Sequence, residues 1–235
     1  IGRLEKIDIL DMDALLSVFG DFSPEYVLHL AAIHFIPECN ARPIEASDIN
    51  IVGTENILRA AESTQSVKRV VVTSSAAVYP ISDDALGDDS EPAPTDLYGT
   101  TKAVNENQAR RFSVRTGIPT VAVRLFNVFG PGETNPHVIP EILDQLKRGQ
   151  KEISLGNLEP KRSYIHVDDV ADAFGRLLHV DLRKSYLSMN IGHSEESSVQ
   201  DILDCIGRLT GSPVCPKQDP ERIRKSDWMH LRCDN

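Results

Sequence analysis

Tyr98 and Lys102, four residues apart in "YGTTK", are the pair whose spacing points most directly to chemistry. On a helix, positions i and i+4 share one face, a turn apart. An ammonium beside a phenol favours the phenolate, so Tyr98 is expected to titrate below the value of about 10 seen for a free tyrosine. A phenol tuned that way suits general acid/base work near neutral pH. Upstream, Val70-Val71-Val72 run into Thr73, Ser74 and Ser75, a buried strand that ends in three hydroxyls. Ligands of open α/β sheets bind outside the carboxyl ends of the strands, so these hydroxyls are expected to face a ligand crevice. The blander reading, in which a hydroxyl satisfies local backbone groups, is preferred for Thr73 and Ser74 and rejected for Ser75. Small residues close the preceding apolar segment in the same way, at Ala31 and Ala32.

The elements that must position these groups alternate. Strands are expected at 24–32, 68–75 and 119–126, and helices at 51–64 and 98–115. Val/Ile-rich strands without alternation imply a parallel sheet covered on both faces, a doubly wound α/β fold. Beyond residue 131 the pattern loosens. A helix at 138–149, a strand near 151–155, a helix at 167–180, a strand at 187–191 and a helix at 198–210 suggest a smaller, interleaved lobe. The division expected is 1–131 and 132–235, with about 162–192 returning to the first domain. Residues 82–96 are acidic and contain proline, and read as a surface loop.

Composition sets outer limits. The chain has 235 residues, 40% of them hydrophobic and 26% charged, as in ordinary globular proteins. A net charge of −10 argues against a nucleic-acid or anionic-membrane surface. No apolar run reaches the roughly 18 residues of a membrane span, and no signal-peptide pattern opens the chain, so a cytoplasmic protein is expected. The four cysteines lack Cys-x-x-Cys spacing; two disulfides are possible on paper, but reduced thiols are expected. His34, His137 and His166 show no metal-ligand spacing, and "HVDDVADA" reads as a capped helix, so no metal is expected.

Taken together, the segments "LHLAA" (28–32), "NIVGTENILRAA" (50–61), "TSSAAVY" (73–79), "YGTTK" (98–102), "VRLFNVFGP" (123–131), "NPHVIP" (135–140), "RSYIHVDDVADA" (162–173) and "RIRKSD" (222–227) resemble the extended short-chain dehydrogenase/reductases, in their nucleotide-sugar epimerase and dehydratase branch. The resemblance implies a Rossmann domain holding NAD, or NADP, and a smaller lobe holding a sugar nucleotide. It implies a catalytic triad of Ser75, Tyr98 and Lys102. Tyr98 would take a sugar hydroxyl proton, Lys102 would hold the nicotinamide ribose, and Ser75 would bond the reacting oxygen. Further cofactor contacts fall on Asp8 and Ile9 at the adenine, on Leu30, Ala31 and Ala32, and on Asn50, Thr73 and Phe126. Substrate contacts fall on Ser75, Ala76, Ala77, Asn127, His137, Val138 and Asp227, with Arg162 and Arg224 clamping the diphosphate. A homodimer through helices 50–64 and 98–115 is implied as well.

Two departures from the family pattern carry weight. The Gly-x-x-Gly-x-x-Gly pyrophosphate loop, the strand end that chooses NAD or NADP, and a closing segment are outside this sequence. The chain opens on Ile1 and is expected to lack its true start, because a sheet without its first strand–loop–helix would expose core. Second, Ala76 and Ala77 stand where the dehydratases carry Asp-Glu, and a methyl group transfers no proton. The expected function is therefore NAD-dependent 4-epimerisation of a nucleotide-activated sugar, a UDP-sugar first, through a transient 4-keto sugar. An NADPH-dependent 4-keto-deoxysugar reductase is the alternative, and a non-catalytic NAD(P)-binding sensor a third.

Overall fold

The computed structural model describes residues 2–133, 135–223 and 228–234. In chain order the helices are α1 (Met12–Phe22), α2 (Ile36–Ala41), α3 (Pro43–Ser47), α4 (Thr54–Ser63), α5 (Leu97–Thr116), α6 (Val138–Lys147), α7 (Val167–His179) and α8 (Val199–Thr210). The strands are β1 (Tyr26–His29), β2 (Arg69–Ser75), β3 (Thr120–Leu125), β4 (Asn127–Phe129), β5 (Glu152–Leu155), β6 (Lys161–Arg162), β7 (Tyr164–His166), β8 (Tyr186–Ile191), β9 (Ser197–Ser198) and β10 (Cys215–Gln218). The main sheet runs β1-β2-β3-β8, with β1–β2 and β2–β3 parallel.

The chain divides into two units. The first holds 1–80, 88–125 and 171–190; the second holds 81–87, 126–170 and 191–235. In the first, Val70, Val71 and Val72 are all at most 1% exposed, so both faces of β2 are covered, as a parallel strand requires. One of its clusters joins Leu15 and Phe19 of α1, Ile57 and Leu58 of α4, Val70 and Val72 of β2, and Phe112 of α5. Each such side chain contributes about 1.5–3 kcal/mol when fully buried. The second unit has its own cluster, Ile142, Ile153, Leu155, Val199 and Leu203.

Local chemistry sets the ends of the elements. Asp96 caps α5, accepting from Gly99 N at 2.7 Å, and Gly117 closes it in the left-handed region. Ser198 and Asp201 form a reciprocal capping box on α8. The strand expected over 24–32 stops at His29. Beyond it, the N–H and C=O of Ile33 are taken by the Asn50 side chain, at 2.8 and 2.9 Å, rather than by a neighbouring strand. The helix expected from 51 begins as a π turn, Asp48–Gly53, before α4. Helices α1, α2 and α3, and the short strands β4, β6, β7, β9 and β10, are additional to the expected elements.

Candidate active site

Helix α5 delivers Tyr98 and Lys102 to the end of β2 because its first turn has no side chain at Gly99. A Cβ there would lie 2.1 Å from the Ala77 carbonyl oxygen, so only glycine permits this approach. The Ser75 side chain caps the 3₁₀ turn Ala76–Val78, accepting from Ala77 N at 3.2 Å, and hydrogen-bonds Tyr98. Lys102 Nζ lies 5.7 Å from the centre of the Tyr98 ring and donates to Thr73 O at 2.8 Å. The structure thus brings Ser75, Tyr98 and Lys102 together.

The electrostatics differ from the spacing argument. The Tyr98 phenol is pushed up to about 12, first by its withdrawal from water; the Ser75 hydrogen bond opposes this, and Cys39 and Asp96 add to it. Burial lowers Lys102 to about 8. Lys102 does not bring the phenol below its ordinary value in the protein alone: burial is the largest influence on each of the two groups.

The hydroxyls of β2 divide by strand alternation. Thr73 Oγ1 is buried and has no hydrogen-bond partner. Ser74 turns to the other face, is 1% exposed, and is not the backbone partner expected of it. Its Oγ donates to Glu106 Oε1 at 2.6 Å. Glu106 is gripped by Arg124, Nε to Oε1 and Nη2 to Oε2, both at 2.8 Å. Arg124 Nη1 reaches Tyr79 OH at 2.7 Å, and Tyr79 donates to Asn190 Oδ1 at 2.7 Å. Sequence reasoning missed this buried cluster. The available signal was Glu106 falling four residues after Lys102, on the face that carries Tyr98.

Behind the site, Asn50 is fully buried. Besides holding Ile33, its Nδ2 donates to Thr101 Oγ1 at 3.1 Å, and its backbone oxygen accepts from Asn105 and Thr54, both at 2.7 Å. His29 Nε2 meets Thr54 Oγ1 at 2.9 Å; that hydroxyl already donates to Asn50 O, so the imidazole is the donor. Cys39 donates to Ile33 O at 3.3 Å. Ile9 packs on Gly53, whose missing Cβ leaves it room, and Asp8 is exposed, accepting from Leu10 N. Leu30 is 55% exposed; Ala31 is exposed and Ala32 half-buried. Ala76 is buried within its turn and Ala77 half-buried.

The remaining expected residues that the structure describes belong to the second unit. Phe126 is buried against Gly192 and Cys233. Asn127, half-buried on β4, donates its backbone N–H to Ser163 O. His137 precedes α6 and pairs with Glu133; Val138 opens that helix against the second cluster. Arg162 is half-buried and donates to the Trp228 and Lys161 carbonyls at 2.7 and 2.8 Å. Arg224 and Asp227 lie outside the described residues. Among the described residues no cluster of three or more His, Cys, Asp or Glu is placed to hold a metal ion, no disulfide joins the cysteines, and no helix is long and apolar enough to cross a membrane.

A family model, that of the NAD dependent epimerase/dehydratase family, matches residues 2–192. A GDP-6-deoxy-D-talose 4-dehydrogenase from Aggregatibacter actinomycetemcomitans is 32% identical over 225 residues, 95% of this chain and 74% of that protein. A UDP-glucose 4-epimerase from Streptomyces lividans is 33% identical over 235 residues, 92% of this chain and 70% of its own length. Among solved structures, the UDP-glucose 4-epimerase from Brucella ovis in complex with NAD matches with a TM-score of 0.89 at 27% identity, covering 99% of this chain and 76% of that one.

Proposed function

This chain belongs to the NAD-dependent epimerase/dehydratase family, and on that premise we propose that it is a 4-epimerase of a nucleotide-activated sugar, with a UDP-sugar as its substrate. The family is NAD(P)-dependent, and the residues at the mouth of β2 suit such a dinucleotide. Thr73 Oγ1 is a buried hydroxyl with no partner in the protein. Lys102 gives one hydrogen bond to Thr73 O and retains further N–H donors for a ribose. Leu30 and Ala31 offer bare surface just past β1. Asp8, Ile9, Ala32, Asn50 and Phe126 complete the proposed cofactor set.

The observation that carries the reading is the meeting of Ser75, Tyr98 and Lys102 at one strand end. When bound, NAD⁺ would supply the hydride acceptor and a positive charge. Tyr98 takes the proton of the sugar 4-hydroxyl and later returns it. Ser75 orients the reacting oxygen and stabilises the phenolate it bonds. Lys102, lowered by burial to about 8, lies 5.7 Å from the centre of the Tyr98 ring and is proposed to favour the phenolate as it forms. Ala76 and Ala77 offer no acid for elimination of water, which favours epimerisation over dehydration. Asn127, His137, Val138, Arg162, Arg224 and Asp227 are proposed to bind the nucleotide sugar. A homodimer through 50–64 and 98–115 belongs to the same reading, with light scattering as its check.

A second reading is favoured by the 32% identity to a GDP-deoxysugar 4-dehydrogenase: reduction of a 4-keto-deoxysugar nucleotide with NADPH, using the same triad. The deciding experiment supplies UDP-glucose without added cofactor. Interconversion with UDP-galactose, and no net change in NAD, is the expected result. Stoichiometric NADPH oxidation with a 4-keto-deoxysugar nucleotide, and no epimerisation, would replace the first reading by the second.

A further inference from the structure

Three rungs join α5 to β2. Tyr98 meets the Ser75 side chain, Lys102 Nζ meets Thr73 O at 2.8 Å, and Glu106 Oε1 meets Ser74 Oγ at 2.6 Å. Tyr98, Lys102 and Glu106 recur every fourth residue, so they form one stripe along the helix. The first two rungs belong to the candidate site. The third lies a turn further on, with Glu106 7% exposed and Ser74 1% exposed.

We propose that Glu106 is a positioning residue that sets the rotation and axial placement of α5 on β2 through Ser74, and thereby the contact between Tyr98 and Ser75. The inference rests on the reading that Ser75, Tyr98 and Lys102 carry the chemistry. Apolar side chains tolerate sliding between packed elements; a forked ion pair with a third partner has one geometry. Here both carboxylate oxygens are engaged by Arg124 of β3, and Oε1 also takes Ser74. Arg124 is itself held by Tyr79 OH and by Asp88 O at 3.1 Å. Glu106 is therefore fixed from β3 and passes that constraint to β2. Replacing a buried ion pair by an apolar pair is often neutral for stability, so geometric specification is the property that remains to account for this one.

Ser74→Ala removes the third rung without unpairing either charge. A double variant, Glu106→Gln with Arg124→Met, removes both charges together and guards against misfolding of a single one. Both are expected to lower kcat on UDP-glucose about 10- to 100-fold, as a misplacement near 1 Å does, with KM within about twofold. A second readout does not depend on the substrate. The Lys102 amine is followed by NMR of ¹³Cε-labelled lysine, its line identified with Lys102→Arg. The titrating groups around Nζ are Tyr98, Cys39 and His29, and none is altered in these variants. Loosening α5 from β2 admits water to Nζ, so the Lys102 midpoint should rise toward that of a free lysine. An unmoved Lys102 midpoint in both variants, or native kcat in both, overturns the proposal. Retained turnover in Tyr98→Phe overturns the acid/base reading instead, and the lysine titration still decides whether Glu106 governs the placement of α5.

Discussion

Lys102 Nζ stands 5.7 Å from the centre of the Tyr98 ring, yet its hydrogen bond goes to the Thr73 carbonyl and not to the phenol. Lys102 is buried and Tyr98 half-buried. Tyr98 rises to about 12 and Lys102 falls to about 8, each toward its neutral form. Both directions favour the neutral groups, so in the proposed mechanism the phenolate would depend on the positive charge that bound NAD⁺ would bring. That relation makes Tyr98 depend on what occupies the space next to it.

Tyr98→Phe should therefore abolish turnover while leaving nucleotide-sugar affinity within about threefold, since a hydroxyl that acts in the transition state contributes little to ground-state binding. Calorimetric titration with UDP-glucose beside a turnover assay separates the two. Catalysis surviving in this variant would remove the phenol from the mechanism.

Gly99→Ala places a methyl carbon 2.1 Å from the Ala77 oxygen, and backbone must move to admit it. The gain in helix propensity, about 1 kcal/mol, is outweighed by strain of about 1–3 kcal/mol. Turnover should fall about 10- to 100-fold because Ser75 and Tyr98 are separated. Stopped or steady-state kinetics and a denaturant midpoint report both; native values in each would show that the first turn of α5 is free to shift.

Asn50→Ala strips three side-chain hydrogen bonds from a fully buried position and leaves the Ile33 N–H and C=O without them. A loss of about 3 kcal/mol in urea unfolding is expected, together with weaker NAD binding as the loop after β1 loosens. Unchanged stability would mean that water replaces the amide there.

His29 gives a pH dependence of stability with a definite sign. Burial first, and the Lys102 charge second, lower its pKa from 6.5 to about 4. Between these values the unfolded chain binds the proton and the folded chain refuses it. Stability is thus full above pH 6.5 and declines as pH falls toward 4, by about 3 kcal/mol in all. His29→Gln should flatten that part of the profile in pH-dependent urea melts. An identical slope in the variant would assign the acid sensitivity to other groups.

The outline of the sheet was legible because it is written in local pattern. Val70-Val71-Val72 bounded by polar residues, and a long segment from Tyr98 free of Gly and Pro after Gly99, mark β2 and α5 to within a residue or two. Helices α2 and α3 were not legible, since "FIPECNARPIEAS" carries two prolines and no clear period. The side each hydroxyl of "TSS" takes was only half legible. Alternation says that Thr73 and Ser75 share a face, but not that Ser74 meets a carboxylate 32 residues away.

The sequence by itself determined the parallel α/β class and the Tyr98–Lys102 stripe, because helix and strand periods act over a few residues; the place of that stripe beside the Ser75 strand end was implied by the family resemblance. Only the tertiary structure decided that the phenol titrates high rather than low, that Gly99 is the gap through which α5 reaches Ala77, and that Arg124 and Glu106 brace the helix from behind. Desolvation, close backbone approach and buried ion pairing depend on residues distant in the chain, and no local pattern encodes which of them will meet.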